Sequence, residues 1–173
     1  MKMLVVTAAV GAAFILTGPA GAAALASADQ PVAGDQAARL AQSFTVDGLV
    51  VRIESVTPVS SFADGTAADD GARILQVKFW ARNPGTSDLD FFDRFYAYAT
   101  MSDGSDTDGA GLSFYPIASD KEFGDVTLKP GQTQHARFDL EVPTNSSPQD
   151  LVVFGPVDGA KVTIPIPAAR SKT

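Results

Sequence analysis

Three segments of this chain alternate apolar and polar residues with a period of two, which is the pattern of a half-buried β-strand. The strongest runs from Arg73 to Arg82, a second covers 49–54 and a third covers 135–142. The apolar faces of these segments carry Leu49, Val51, Ile53, Leu75, Val77, Phe79, Ala81, Ala136, Phe138, Leu140 and Val142. No long helical pattern occurs after residue 28, so the sequence predicts a domain built from strands.

Turn residues separate these strands. Asn83-Pro84-Gly85 ends the strongest one, and Pro130-Gly131 fits the two central positions of a type II turn. Shorter strands are predicted over 89–100, 151–154 and 161–166. Several short strands joined by turns indicate an all-β protein with a two-sheet antiparallel β-sandwich.

The N-terminal 28 residues have the three parts of a secretory signal peptide. Lys2 gives a positive start, and Met3 to Thr17 is an uninterrupted stretch of apolar, small or threonine residues. The small residues that a signal peptidase recognises occur in Ala24-Leu25-Ala26 and in Ala26-Ser27-Ala28. An uncleaved membrane anchor is the alternative. However, the 15 residues of that stretch would span only about 22 Å as a helix, against a hydrocarbon core of about 30 Å. We therefore predict a secreted or extracytoplasmic (cell-envelope) protein, cleaved after Ala26 or Ala28, with no membrane insertion afterwards.

The rest of the chain divides into three predicted parts. Residues 29–42 are polar and alanine-rich, and we expect a flexible N-terminal tail there. The β-sandwich is predicted over 43–167, where the strand patterns and turns lie. Residues 168–173 are predicted to be a C-terminal tail.

Charge and residue usage exclude several classes of function. The chain has 173 residues and a net charge of −7, and an acidic surface repels nucleic-acid phosphates. It contains no cysteine, which removes disulfides and thiolate metal ligands, and a single histidine, which argues against zinc or copper. We predict no nucleic-acid partner, no metal and no cofactor.

Four structural motifs of the middle and C-terminal stretch form a recognisable series. They are a strand ending in Asn83-Pro84-Gly85, an aromatic strand over 91–98, an Asp103-Gly104 turn, and a Pro130-Gly131 turn leading to Val142-Pro143. Over about residues 45–166 the chain resembles a secreted, immunoglobulin-like bacterial domain family that includes actinobacterial secreted immunogenic proteins. The resemblance implies an immunoglobulin-like sandwich in the cell envelope or outside the cell. The family's biochemical role is largely unassigned, and the resemblance implies no catalytic residues.

Enzymatic readings have weak support in the sequence. His135 lies on the polar face of its strand, and no nucleophile-elbow motif accompanies it. The loop containing Asp103, Asp106 and Asp108 matches part of a calcium loop but lacks the closing acid, so a solvated loop is preferred. The acidic run Asp88, Asp90 and Asp93 is interpreted as charge that discourages edge pairing, in preference to a glycosidase carboxylate pair.

Aromatic residues supply the candidate binding site. Alternation places Trp80 opposite the core face of its strand, and Tyr96 and Tyr98 share a face with Arg94. If the two strands are neighbours, these residues form one outward patch of the kind that binds proteins or small ligands. A core that uses both faces of the sheet is the alternative.

Three functional hypotheses remain from the sequence. The first is a secreted or cell-envelope immunoglobulin-like binding module without catalytic activity, whose partner is a protein or small ligand at an exposed sheet face. The second is a small secreted hydrolase or metal-dependent enzyme with an unrecognised site. The third is a passive structural component of the envelope.

Overall fold

The computed structural model describes residues 32–33, 36–91, 94–107, 112–156 and 159–167. Within them lie twelve strands and no α-helix: β1 Val32–Ala33, β2 Gln36–Ala37, β3 Ser43–Val46, β4 Leu49–Val59, β5 Ala72–Arg82, β6 Leu89–Asp90, β7 Tyr96–Met101, β8 Tyr115–Pro116, β9 Thr127–Leu128, β10 Thr133–Pro143, β11 Pro148–Phe154 and β12 Lys161–Pro165. None of the described residues forms a helix capable of crossing a membrane. The predicted signal peptide, the C-terminal tail, Asp93 and Asp108 lie outside the described residues.

Two sheets form the sandwich. The first has six strands in the order β1-β3-β4-β5-β10-β8, and the second has four in the order β2-β12-β11-β7. A small third sheet pairs β6 with β9. All pairings are antiparallel except β1 with β3 and β2 with β12. The predicted fold class, an all-β protein with a two-sheet β-sandwich, is confirmed.

The predicted strand faces are also confirmed. In β4, β5 and β10 the alternating apolar residues are buried and point to one core shared with the second sheet. Five phenylalanines occupy the centre of that core, each with at most 2% of its surface exposed. They are Phe79, Phe91, Phe95, Phe114 and Phe138. Because each inward residue alternates with an outward one, a shift of register by one residue would expose this whole set.

The described strands differ from the predicted ones in two places. The single strand expected over 89–100 is two strands, because the chain leaves the β6–β9 sheet at Phe91 and enters the four-stranded sheet at Tyr96. Aromatic residues on both faces of this segment concealed the break. The expected tail 29–42 contains β1 and β2, which pair with different sheets, and Ala38 is buried. Strands of two residues are too short to show a period in the sequence.

Asn83 fixes the end of β5 against the neighbouring loops. Its side chain is fully buried, and its Nδ2 donates to the carbonyl oxygens of Ser87 at 2.7 Å and Leu128 at 2.8 Å. Its Oδ1 accepts from the Gly85 amide at 2.9 Å, and its own carbonyl accepts from the Gly131 amide. Gly131 has a φ of 75°, as the third position of the predicted type II turn requires. The Asn-Pro-Gly motif is therefore a structural corner.

We expect Phe138→Ala to lower the free energy of unfolding by about 3–5 kcal/mol, because it removes a fully buried ring that contacts three other phenylalanines. Urea denaturation measures this loss. His135→Ala in the same strand is the control, since that side chain is 57% exposed, and should stay within about 0.5 kcal/mol. Equal losses at both positions would mean that the register is wrong. Arg137 is unsuitable as a control because it bonds to Asp120 and to the Ser119 carbonyl.

Asn83→Ala should lower the free energy of unfolding by at least about 2 kcal/mol, because the buried carbonyl of Leu128 and the partly buried carbonyl of Ser87 lose their donor. Asn83→Asp should lower it further, since a carboxylate oxygen would then face both carbonyl oxygens. Chemical denaturation compares these variants with Asn145→Ala, at an exposed position, for which a change within about 0.5 kcal/mol is expected. An Asn83→Asp protein as stable as the original would refute this role of the amide.

Candidate functional site

The predicted aromatic patch is divided between two sheets. Trp80 lies in β5, whose neighbours are β4 and β10 of the six-stranded sheet. Tyr96 and Tyr98 lie in β7, whose hydrogen-bonded neighbour is β11 of the four-stranded sheet. The outer faces of a two-sheet sandwich point in opposite directions, so these residues do not meet. The expectation of neighbouring strands was wrong, because the chain changes sheets between β5 and β7.

Trp80 belongs to a charged face. It is half-buried between its cross-strand partners Arg52 in β4 and His135 in β10. His135 Nδ1 is 4.0 Å from Glu54 Oε1, and Lys78 and Arg137 are paired one step further along the same face. On the same face the Arg137 guanidinium lies 5.8 Å from the centre of the Tyr115 ring in β8. The outer face of the six-stranded sheet is therefore mostly polar, with Trp80 and Tyr115 among its charged residues.

Arg94 forms a hydrogen bond to a turn of the first sheet. It precedes β7 and donates from Nη1 to the carbonyl oxygen of Asp47 at 3.2 Å. Asp47 is in the tight turn between β3 and β4, and it has a positive φ of 42°. Arg94 thus ties the segment entering the second sheet to a turn of the first sheet, which is a structural contact.

Tyr96 and Tyr98 do lie in an outward cluster, together with Phe154 and Lys161, which were not among the predicted site residues. Tyr96 stacks on Phe154 with ring centroids 5.6 Å apart and an interplanar angle of 27°. Tyr98 meets the edge of the same ring at 5.9 Å and 63°. All three rings are half-buried. Together with Lys161 they are called the aromatic surface below.

Lys161 adds a cation to this surface. In the register of the sheet it lies opposite Phe154, which in turn lies opposite Tyr96. Its Nζ is 5.6 Å from the centre of the Tyr98 ring and 5.9 Å from that of Phe154, distances at which a cation is attracted to the ring face. It also donates to Tyr98 Oη at 3.4 Å. The aromatic surface therefore combines flat apolar rings, hydroxyl groups and one ammonium group.

The sequence held no signal for the missing members. Residues 151–154 are all apolar and do not alternate, so the sequence cannot assign their faces. The structure buries Leu151 and Val153 in the core and leaves Phe154 half-buried on the other face. Lys161 could be placed only once the pairing of β11 with β12 was known.

His135 and the Asp103 loop are the places where the sequence offers groups for catalysis or metal binding. His135 has no hydrogen-bonded serine or threonine among them, and its nearest carboxylate is that of Glu54. No three His, Cys, Asp or Glu residues of the described chain are placed to hold a metal ion. The Asp103 carboxylate accepts hydrogen bonds from the hydroxyl and amide of Ser105, which hold its pKa below its usual value. That is the geometry of a turn capped by its own aspartate.

An acidic cavity of about 420 Å³ lies between β10 and the loop that joins β4 to β5. Asp139 Oδ2 accepts from the Ala63 amide at 2.7 Å, and Glu141 Oε1 accepts from the Asp69 amide at 2.6 Å. These carboxylates hold the loop to the strand. Burial raises the pKa of Asp139, a rise opposed by the hydrogen bond from Ala63 and by Gln76 opposite it in β5.

Solved structures of other proteins share this fold. An uncharacterized beta-sandwich protein from Clostridium difficile 630 has a TM-score of 0.58 at 14% identity, over 80% of this chain and 98% of that one. MPT63, a secreted protein from Mycobacterium tuberculosis, has a TM-score of 0.51 at 11% identity, over 79% and 98%. A conserved hypothetical protein from Bacillus anthracis has a TM-score of 0.50 at 12% identity, over 72% and 93%. No protein-family model and no curated protein matches the sequence. These likenesses establish the β-sandwich fold.

The raised pKa of Asp139 gives a prediction about pH. The Asp139 carboxyl group holds its proton more tightly in the folded state than in the unfolded state. Protonation of Asp139 therefore stabilises the fold fully below the unfolded pKa, and this stabilisation is lost as the pH rises through the folded pKa. Asp139→Asn removes this dependence and retains an acceptor for Ala63. The stability of the original protein relative to the variant should therefore fall with rising pH, as urea denaturation at a series of pH values would show. Asp88→Asn, at an exposed position, controls for the loss of one charge. Parallel stability curves for the original and Asp139→Asn would contradict the prediction.

Proposed function

We propose that this protein is a non-catalytic, extracytoplasmic binding module that contacts a partner protein through the aromatic surface. The observation that carries the proposal is the cluster of Tyr96, Tyr98 and Phe154 on the outer face of the four-stranded sheet, with Lys161 over the rings. Aromatic side chains offer a large, rigid contact area at low entropic cost, which is why they dominate binding hot spots.

The two outer faces of the same sandwich provide an internal comparison. The six-stranded sheet presents four cationic or imidazole side chains around Trp80 and Tyr115, which do not contact each other in the sheet register: Arg52, Lys78, His135 and Arg137. The four-stranded sheet presents three aromatic rings in contact with one another, with one cation over them. A passive envelope component has no need for this asymmetry, because a polar outer face suffices for solubility. The asymmetry favours the binding module over the structural role.

The N-terminal sequence and one protein that shares the fold both support export of this protein. The residues of 1–28 have the order of a signal peptide, and one of the proteins with this fold is described as secreted. The resemblance to a secreted, immunoglobulin-like bacterial family points the same way. An extracytoplasmic location would bring the aromatic surface into contact with other envelope or extracellular proteins.

The charge of Lys161 indicates the chemistry of the partner. The ammonium group is a cation on a chain of net charge −7, and it borders apolar rings. A matching protein surface would present apolar side chains to the rings and a carboxylate to Lys161, since complementary charges fix the register of an interface. The hydrolase hypothesis lacks a corresponding observation in the described residues.

Site-specific photo-crosslinking in the producing cells tests the proposal. A benzoylphenylalanine in place of Tyr98 should give one discrete crosslinked protein, and the same residue in place of Trp80, on the opposite face, should not. Lys161→Glu should weaken that crosslink at least about tenfold while the melting temperature stays nearly constant, because an exposed cation–π contact contributes only about 0.5–1 kcal/mol.

The alternatives give different outcomes in the same experiment. Equal crosslinking from both faces, or none from Tyr98, would overturn the proposal and favour a passive role. A crosslinked product made only of two copies of this chain would identify the aromatic surface as a self-association interface. That result would also contradict the proposal that a different protein is the partner.

A further inference from the structure

A second feature with chemical consequences lies at the end of the sandwich where β5 begins. Along β5 the residues Leu75, Val77 and Phe79 point inward, and the same alternation puts Arg73 on the inward side. The residue opposite Arg73 in β10 is Val142, which is fully buried. A charged side chain therefore occupies a core-facing position at this end.

Arg73 is incompletely satisfied there. One guanidinium nitrogen, Nη2, donates to the carbonyl oxygen of Ser146 at 3.0 Å. Its Nε is buried without a hydrogen-bond partner, and no carboxylate of the described residues forms an ion pair with it. A guanidinium stays charged at any physiological pH, and a buried donor without an acceptor is costly. This side chain consequently has unused capacity for an anion.

Arg73 lines a cavity of about 570 Å³. The walls are mostly apolar and come from both sheets: Val56 and Pro58 of β4, Leu75 of β5, Pro148 of β11, and Ile166 after β12. Ile166 is held in place by its amide, which donates to the Gln149 carbonyl oxygen at 2.8 Å. Arg73 is the one charged residue among the described residues that line this space. The volume lies within the range of small-molecule sites.

We propose that this cavity binds a small amphipathic carboxylate, with its apolar body against the walls and its carboxylate on Arg73. A single fixed cation beside an apolar enclosure matches the chemistry of a medium-chain fatty acid. The planar guanidinium favours a carboxylate because its N–H groups are spaced for two oxygens. None of the residues of the aromatic surface lines the cavity, so this site is independent of the proposed partner contact.

Three probes with one alkyl chain and different head groups test the charge requirement. Octanoate, octanol and octylamine are titrated into the purified protein, followed by calorimetry and backbone amide NMR. Octanoate should bind and shift the amides of Val56, Leu75 and Ile166. Octanol should bind at least about tenfold more weakly, since it lacks the charge-assisted hydrogen bonds, and octylamine should not bind measurably. Equal affinity for octanoate and octylamine, or no binding of octanoate, would overturn the proposal.

Variants then locate the site. Arg73→Met keeps an extended apolar side chain and removes the charge, so it should weaken octanoate binding at least about tenfold and leave octanol binding nearly unchanged. Val56→Phe should weaken both ligands by filling the apolar part. Arg82→Met, at the exposed far end of the same strand, is the matched control and should change neither. Should Arg73→Met fail to fold, the Val56→Phe and head-group comparisons still decide. Unchanged octanoate binding in a folded Arg73→Met or Val56→Phe protein would disprove the site.

Discussion

The contact between phenylalanine rings at the centre of the sandwich is the interaction on which the rest of the structure depends. Phe79 in β5 lies 4.9 Å from Phe95 and 5.6 Å from Phe138, measured between ring centres, and 5.9 Å from both Phe91 and Phe114. Phe79 and Phe138 lie in the six-stranded sheet, and Phe95 immediately precedes β7 of the four-stranded sheet. Phe91 directly follows β6, and Phe114 directly precedes β8. A chain without cysteine has no covalent staple, so the burial and mutual packing of these rings must hold the sheets together.

A buried amide, together with the phenylalanine rings, fixes the segments at one end of the sandwich. Phe91 stands directly after β6, and the strand that β6 pairs with ends at Leu128, whose carbonyl oxygen accepts from Asn83. The irregular segments at this end of the sandwich are thus fixed by apolar side chains inside and by one amide at the corner. Gly155 shows how tightly the end is packed, because a Cβ there would lie 2.2 Å from Asp47 Cγ. Close approach, more than backbone freedom, requires glycine at that position.

The sequence was informative where one face of a strand is buried and the other is not. The faces of β4, β5 and β10 follow from alternation alone, since a side-chain period of two leaves no other arrangement for Leu75, Val77 and Phe79. Alternation says nothing about which strands are neighbours. It therefore placed Tyr96 and Tyr98 on an outer face but joined them to Trp80, which lies on the other sheet, and it missed Phe154 and Lys161. Candidate sites built from several strands require the pairing, which is set by long-range packing.

The distribution of large side chains along the sandwich explains why it has a cavity at one end. Arg73 precedes Phe79 by six residues, or about 20 Å along a strand. The ring cluster and the Asn83 corner fill the Phe79 end, whereas the Arg73 end is lined by aliphatic and proline side chains together with Ser102, Ser147 and Gln149. No aromatic ring is among the described residues that line the cavity of about 570 Å³ at this end. Arg73 is half-buried at that end, its Nε is buried without a hydrogen-bond partner, and no carboxylate of the described residues pairs with it. These conditions favour an external anion at this position.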